Sequence, residues 1–546
     1  MNKFIFTFLF LVTSSFYTLA QNPAFTRQDT LRGSITPDRA WWDLTYYHLQ
    51  IKVVIASKSI KGQNSIYYTV LEEGNRMQID LQPPLKITKV TQGKEELSYK
   101  RDGNAYFITF TKKQKVGSKN SIEVYYEGAP KVSVRPPWSG GVTWDKDANG
   151  KDFIATSCQG DGASLWWPCK DHMYDEADSM LISITVPKHL MDVSNGRLRS
   201  VVKNKDKTRT FNWFVSNPIN NYGVNMNIGD YVHFSEVYAG ENGDLDCDYY
   251  VLKDNLTKAK AQFKDAKRTL QAFEYWFGPY PFYNDSYKLV EVPYLGMEHQ
   301  SSVTYGNGYA NGYLGRDLSH TGWGLKWDFI IVHESGHEWF ANKFTYKDIA
   351  DMWIHESFTA YSENLFLDYH YSKVASAEYV IGTRQNIQND MPLIGPYGVN
   401  KSGSSDMYYK GANMLHTLRQ LVENDTLWRE ILRGLNKEFY HQTVTSSQIE
   451  DYLSEKTGID LTAFFNQYLR DTRIPILTYV IEDNKLTFKW DQIVKDFDMP
   501  VQVYINDEHQ WIYPEVQMKD LEVDKPIESF KIDADFYVAE FNLRGK

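Results

Sequence analysis

His333-Glu334-Ser335-Gly336-His337 lies inside the apolar run from Phe329 to Phe340, and few patterns restrict a fold as tightly. The run reads as a helix, and helical positions four apart share one face, so both imidazoles project to the same side. Phe329, Ile330 and Phe340 at helical offsets turn that side inward, where unpaired imidazoles are costly. A fold that buries this helix must supply the pair with a partner, and the spacing suits a metal ion. With 13 His among 546 residues, about 0.02 such patterns are expected by chance. Glu334 is placed to reach a water on that metal. Gly336 inside the helix costs roughly 1 kcal/mol relative to Ala, which the close approach of another backbone explains.

The third ligand is expected downstream. Glu356 follows His337 with eighteen residues between them, within Trp353-Ile354-His355-Glu356-Ser357-Phe358. Trp353 to Phe366 has helical spacing, so a second helix beside the first aims Glu356 at the metal. Asp348, Asp351 and Glu363 are its rivals, and Glu363 also suits a partner that orients an imidazole. His333, His337 and Glu356 with an open fourth position form the ligand set of one catalytic zinc per chain, not a structural one. Zinc lowers the pKa of its water to roughly 7 and polarises a carbonyl. Glu334 then takes the water proton and passes it to a leaving amine. The oxyanion so formed needs a further donor, which nothing on this helix supplies. The chemistry predicted is hydrolytic.

Net charge is -10 and no basic cluster stands out, which excludes nucleic acid as an expected partner. Residues 1–20 read as a secretory signal: Lys3, the apolar run Phe4 to Val12, then Thr18-Leu19-Ala20 at the cleavage positions. The run is too short to span a bilayer, and no later segment is apolar enough. The mature chain is expected to be exported, periplasmic or secreted, without an integral membrane segment. Cys158, Cys169 and Cys247 show no C-x-x-C spacing, so a cysteine zinc site is not expected, and a Cys158–Cys169 pairing stays open. The aromatic share of 15% is read as strand packing before a substrate cleft.

Alternation with period two, as in His48 to Val53, recurs at Ser65 to Leu71, Met77 to Leu81, Tyr106 to Phe110, Ile122 to Tyr126 and Met180 to Val186. The predicted class is a multidomain α+β chain. Residues 1–20 are the signal and 21–39 a leader. An N-terminal β-sandwich-like domain spans 40–251, a mainly helical zinc domain 252–473, and a small β domain 474–546. Leu256 to Trp276 is a predicted helix stopped by Phe277-Gly278-Pro279-Tyr280-Pro281. Leu289 to Pro293 is a strand candidate.

Three segments carry a family resemblance: His333, His337 and Glu356 at their spacing, Leu295-Gly296-Met297-Glu298-His299, and Met407-Tyr408-Tyr409-Lys410-Gly411-Ala412. The chain resembles the aminopeptidase N and leukotriene hydrolase family of zinc peptidases, gluzincins with a thermolysin-like catalytic domain. The resemblance implies that Glu298, within the segment Gly296-Met297-Glu298, binds the substrate's free α-ammonium. It also implies that Tyr408, with Tyr409 its rival by adjacency, supplies the missing oxyanion donor. By the same likeness, Gln159, ahead of Trp167-Pro168-Cys169-Lys170-Asp171, lines the pocket for the first side chain. The chain departs from the family pattern at His299 and His355, which stand in place of Asn, and at Gly160-Asp161-Gly162. The large C-terminal helical superhelix of many members is not expected here. The function implied is an exported zinc aminopeptidase acting on peptides with a free N-terminus, its oligomeric state left open. A thermolysin-like endopeptidase requires Glu298 to lie away from the cleft, and epoxide hydrolysis is a more distant alternative. A zinc-bearing peptide-binding protein without turnover needs no base, so Glu334 and Tyr408 weigh against it.

Overall fold

The alternating segments pair as their periodicity requires. In the computed structural model, which describes residues 25–545, Trp42–Val54 lies at the centre of an eight-stranded sheet. It pairs antiparallel with Ser59–Val70 and parallel with Ser179–Pro187. Leu44, Leu49, Ile51 and Val53 face the core while their neighbours face out. Two smaller sheets, Gly74–Asp80 with Ala105–Gln114 and Ser98–Asp102, and Gly141–Lys146 with Asp152–Ser157, Asn227–Gly229 and Met191–Val193, complete the N-terminal β-rich domain. Trp42, Trp166, Trp167 and Trp213 are among its fully buried side chains, so aromatic surface goes into packing. Cys158, Cys169 and Cys247 are buried free thiols. The signal reading falls on residues 1–20, outside the described residues. Among those described, no helix is long and apolar enough to cross a membrane.

The sheet of the catalytic domain begins at Tyr231. The hairpin of Tyr231–Gly240 and Gly243–Leu252 continues in parallel into Tyr287–Glu291, then Val303–Tyr305 and Gly296–Met297. The sequence periodicity changes near 252, whereas the hydrogen-bonded sheet of the catalytic domain already includes this hairpin. Helices α1 (Lys264–Phe277) and α2 (Phe329–Gly336) pack against it, α3 (Trp353–His370) packs on both, and α4 (Tyr409–Val422) packs on α3. The expected Leu256 to Trp276 helix is broken at Phe263, with Leu256–Gln262 and α1 on either side. It stops at Gly278, whose φ of 89° suits glycine. α2 and α3 are buried on nearly every side, so they lack a polar face and form the centre of the domain.

The C-terminal domain is a small β-sandwich. Lys519–Glu522, Lys485–Asp491, Ile476–Glu482 and Ala539–Asn542 form one sheet, and Glu508–Ile512, Val501–Ile505 and Phe530–Ile532 the other. Leu477, Leu486, Phe488, Val501 and Val503 share one core cluster with the catalytic helices.

Candidate active site

Asp328 starts α2 by accepting the backbone N–H groups of Ile330 (3.1 Å) and Ile331 (3.3 Å). The helix then projects His333 and, at its C-cap, His337, with ring centroids 5.0 Å apart. Continuation of the helix to Phe340 was the expectation. Instead Glu338–Asn342 forms a wide π-type turn, in which Phe340 adopts φ -121° and ψ 67°. That turn points the Phe340 carbonyl back at His337, whose Nδ1 donates to it at 3.1 Å. Gly336 is explained differently from the expectation too. A Cβ there would lie 2.7 Å from Ser362 Oγ and 3.1 Å from Thr359 Cγ2, so side chains of α3, not a second backbone, crowd it.

α3 supplies the rest of the shell. Glu356, Thr359 and Glu363 fall at offsets of three and seven, one stripe of the helix. Glu356 Oε2 lies 3.4 Å from His337 Nε2 and 3.8 Å from His333 Nε2. Glu363 Oε1 accepts from His333 Nδ1 at 2.7 Å, and Thr359 Oγ1 lies 3.0 Å from His337 Nδ1. With both Nδ1 atoms engaged, the two Nε2 atoms face Glu356. Among the rivals, Asp348 caps a turn at Ala350 N (3.0 Å), and Asp351 accepts from Tyr397 Oη (2.6 Å).

The three donor atoms lie within 4.8 Å of one another. Ligands about 2.0–2.2 Å from one tetrahedral ion are separated by about 3.3–3.5 Å, close to the distances found. Glu356 Oε2 is buried and accepts no hydrogen bond among the described residues, an arrangement that a cation satisfies and that is costly otherwise. These residues fit zinc. Burial disfavours a charged Glu356, but His337 and His333 override it and hold the carboxyl well below its usual range.

Glu334 completes the inner group, its carboxylate within 4.8 Å of donor atoms on His337 and Glu298. Burial pushes it up to about 7, His333 opposing and Glu298 reinforcing. Glu298 is delivered by the short strand Gly296–Met297, paired with Val303–Tyr305. That strand lies directly on α2: a Cβ at Gly296 would stand 2.5 Å from Ile330 Cγ2. The Gln159 amide donates to Glu298 Oε1 (2.5 Å) and Glu356 Oε1 (3.1 Å). Gln159 thus tethers two carboxylates, while Gly160 and Gly162 line a nearby small cavity. Burial and the negative charges of Glu356, Glu298 and Glu334 push the Tyr408 phenol well up, and its ring centroid lies 6.0 Å from that of His333. Burial, then Glu363 and Tyr313, raises the Tyr409 phenol, and it is the Tyr408 ring that lies beside His333.

Both histidine departures are structural. His355 Nε2 accepts the Tyr346 N–H (3.0 Å) and its ring lies on Tyr346, centroids 4.2 Å apart. His299 is buried against Thr304 Oγ1 (3.3 Å). Thr359, Asn342 and Tyr222 were missed from sequence. The three-and-seven spacing from Glu356 marks Thr359 and Glu363, but no local signal marks Asn342 or Tyr222. The Asn342 amide donates to the Glu298 carbonyl at 2.8 Å.

A family model described as the Peptidase family M1 domain matches residues 261–468, and one for the Peptidase M1 N-terminal domain matches 44–222. The chain is 20% identical over 361 residues to tricorn protease-interacting factor F2 of Thermoplasma acidophilum, covering 63% of this chain and 44% of that protein. It is 24% identical over 305 residues to endoplasmic reticulum aminopeptidase 1 of Mus musculus, covering 53% and 32% respectively. The chain therefore spans less than half the length of these relatives. A mutant M1 zinc metallopeptidase from Deinococcus radiodurans shares its fold, with TM-score 0.68, 18% identity, and coverage of 80% of this chain and 96% of that one. The same protein bound to a Tyr-Ser-Ala substrate superposes with TM-score 0.66 at 18% identity, over 80% and 96% of the two chains. Two matching family models, one for each of the first two domains, together with the His-His-Glu site beneath them, establish that this chain belongs to peptidase family M1.

Proposed function

We propose that the chain is an exported zinc aminopeptidase that removes residues one at a time from the free N-terminus of peptides. Its M1 relatives include proteins named as aminopeptidases. The observation that carries the reading is Glu298, a buried carboxylate held by Gln159 within 4.8 Å of donor atoms on Glu334 and His337. A fixed anion at that distance suits a substrate ammonium one residue from the bond to be cut. Export rests on the composition of residues 1–20 alone.

His333, His337 and Glu356 would hold the zinc, which when bound supplies a Lewis acid that acidifies water and polarises the scissile carbonyl. Glu334 accepts the proton of the attacking water and returns it to the leaving amine, and its burial raises its affinity for that proton. The Tyr408 hydroxyl donates a hydrogen bond to the developing oxyanion. Gln159 keeps Glu298 oriented, so the ammonium finds a preorganised partner.

The test is a panel of amino-acid chromogenic amides, free and N-acetylated, with and without chelator. Cleavage of free amides only, lost with chelator and restored by zinc, is expected. Equal cleavage of the acetylated set would remove the amine anchor and leave an endopeptidase.

A further inference from the structure

Lys343, the residue after the Glu338–Asn342 turn, is a buried cation that the active site does not use. Its side chain is 5% exposed, and among the described residues its ammonium makes no hydrogen bond and no ion pair. Nζ lies 5.4 Å from the ring centroid of Tyr440 and feels the like charge of Arg433. An ammonium left in that setting is costly.

Lys343, Arg433 and Tyr440 line a cavity of about 570 Å³, within the range of small-molecule sites. None of the zinc ligands, Glu298, Glu334 or Tyr408 lines it. One wall is the end of the helix Asp425–Glu438, where Arg433, Asn436 and Lys437 share a face at offsets of three and four. The other is the Phe277 to Pro281 turn with Tyr283, a surface of rings and prolines.

The chain carries a net charge of -10, yet three basic side chains and no carboxylate line this cavity. The carboxylates bonded to its walls are spent. Glu274 accepts the Tyr280 N–H (2.9 Å) and the hydroxyls of Tyr283 and Tyr238 (2.7 and 3.0 Å). Glu241 takes both ends of the Arg433 guanidinium at 2.9 and 2.7 Å. Asp285 accepts the Ser216 hydroxyl and the Asn217 amide, each at 2.7 Å. Arg433 is thereby neutralised, which leaves Lys343 and the exposed Lys437 uncompensated. Asn436 is 1% exposed, and its Oδ1 has no hydrogen-bond partner among the described residues. Buried polar groups left open on a cavity mark where a ligand or water completes the bonding.

We propose that this cavity is a second binding site, separate from the zinc cleft, for a small organic anion. Its phosphate monoester or carboxylate group pairs with Lys343 and Lys437, and a flat apolar body lies against the Phe277 to Pro281 turn.

The experiment is calorimetric titration of the zinc-loaded full chain with phenyl phosphate, with N-acetylphenylalanine and, as the uncharged control, with N-acetylphenylalaninamide. At least one anion is expected to bind with Kd of about 1 mM or tighter, and the control to bind at least tenfold more weakly. The tighter of the two anions tells a phosphate ester site from a carboxylate site. Lys343→Met removes a buried, unpaired charge and should weaken the anion by about tenfold or more, the worth of a charge-assisted bond. Lys437→Ala, at an exposed position, should weaken it by about two- to fivefold. Melting curves verify that both variants fold. An anion held by the zinc instead would bind both variants as tightly as the wild-type chain. That result, equal binding of the uncharged control, or no binding of either anion overturns the assignment.

Discussion

Replacing Glu363 by Ala tests how the site is held together. Glu363 touches no substrate; its Oε1 accepts from His333 Nδ1 at 2.7 Å and its Oε2 from the Tyr379 hydroxyl at 2.7 Å. Both the imidazole and the carboxylate are buried, with side chains 8% and 2% exposed, so bulk solvent does not compete for the bond. The substitution orphans the Nδ1–H, frees the ring to rotate, and weakens the lone pair that faces the metal. Losses of this kind are about 10–100-fold in metal affinity, or roughly 1.4–2.7 kcal/mol, and burial places this one near the upper end. Glu363→Gln keeps a carbonyl acceptor for His333 and should lose about tenfold or less. The assay is competition for zinc between metal-free protein and a chromophoric chelator, with melting curves to establish that the variants fold. Retention of zinc within twofold by folded Glu363→Ala, or equal losses in the Ala and Gln variants, would refute the argument that Glu363 acts by orienting His333.

Tyr408→Phe should lower kcat by about 10²–10³ with KM little changed, the signature of a donor used only in the transition state; steady-state kinetics decide it. Glu298→Gln should weaken kcat/KM on free amides by about 10–100-fold, the worth of a charge-assisted bond, read from the same kinetics. Lys343 gives a pH test remote from the cleft. It is 5% exposed with no side-chain hydrogen bond or ion pair among the described residues, and burial, aided by Arg433, pushes it down from 10.5 to about 7. The unfolded chain then holds a proton between those values that the folded chain does not, so the penalty is complete below pH 7 and fades toward pH 10.5. Lys343→Met should accordingly stabilise the protein by up to roughly 4 kcal/mol at pH 6 and hardly at all near pH 10.5, read from denaturant melts at both pH values.

The parts of this molecule that announce themselves in sequence are those governed by local periodicity or by rigid spacing. Alternation along His48 to Val53 reports one buried sheet face, and His333 and His337 report one helix face. Glu356 was legible for the same reason, and Glu363 and Thr359 were recoverable, because their offsets put them on its stripe of α3. What stayed hidden depends on contacts between distant segments. The hairpin 231–252 alternates like any strand pair, and only its parallel partner Tyr287–Glu291 assigns it to the catalytic sheet. The turn after His337 is dictated by its bonds to His337 and Ser301, not by its apolar composition. Arg32 lies 139 residues from Asp171, a pairing no window of sequence can reveal.

That five-residue turn has a wider consequence. Its Phe340 carbonyl steadies a zinc ligand, its Glu338 carboxylate accepts the Ser301 N–H at 3.0 Å, and its Asn342 amide grips the Glu298 backbone. One short piece of chain thus works as a gauge block between the metal ligands and Glu298, which on the proposed reading sets how far from a peptide's end the cut falls. The leader and the loop at Gly160 to Gly162 lie outside that block. On the proposed reading, changes in either segment leave the spacing between cation and anchor, and with it the length of the piece removed, unaltered.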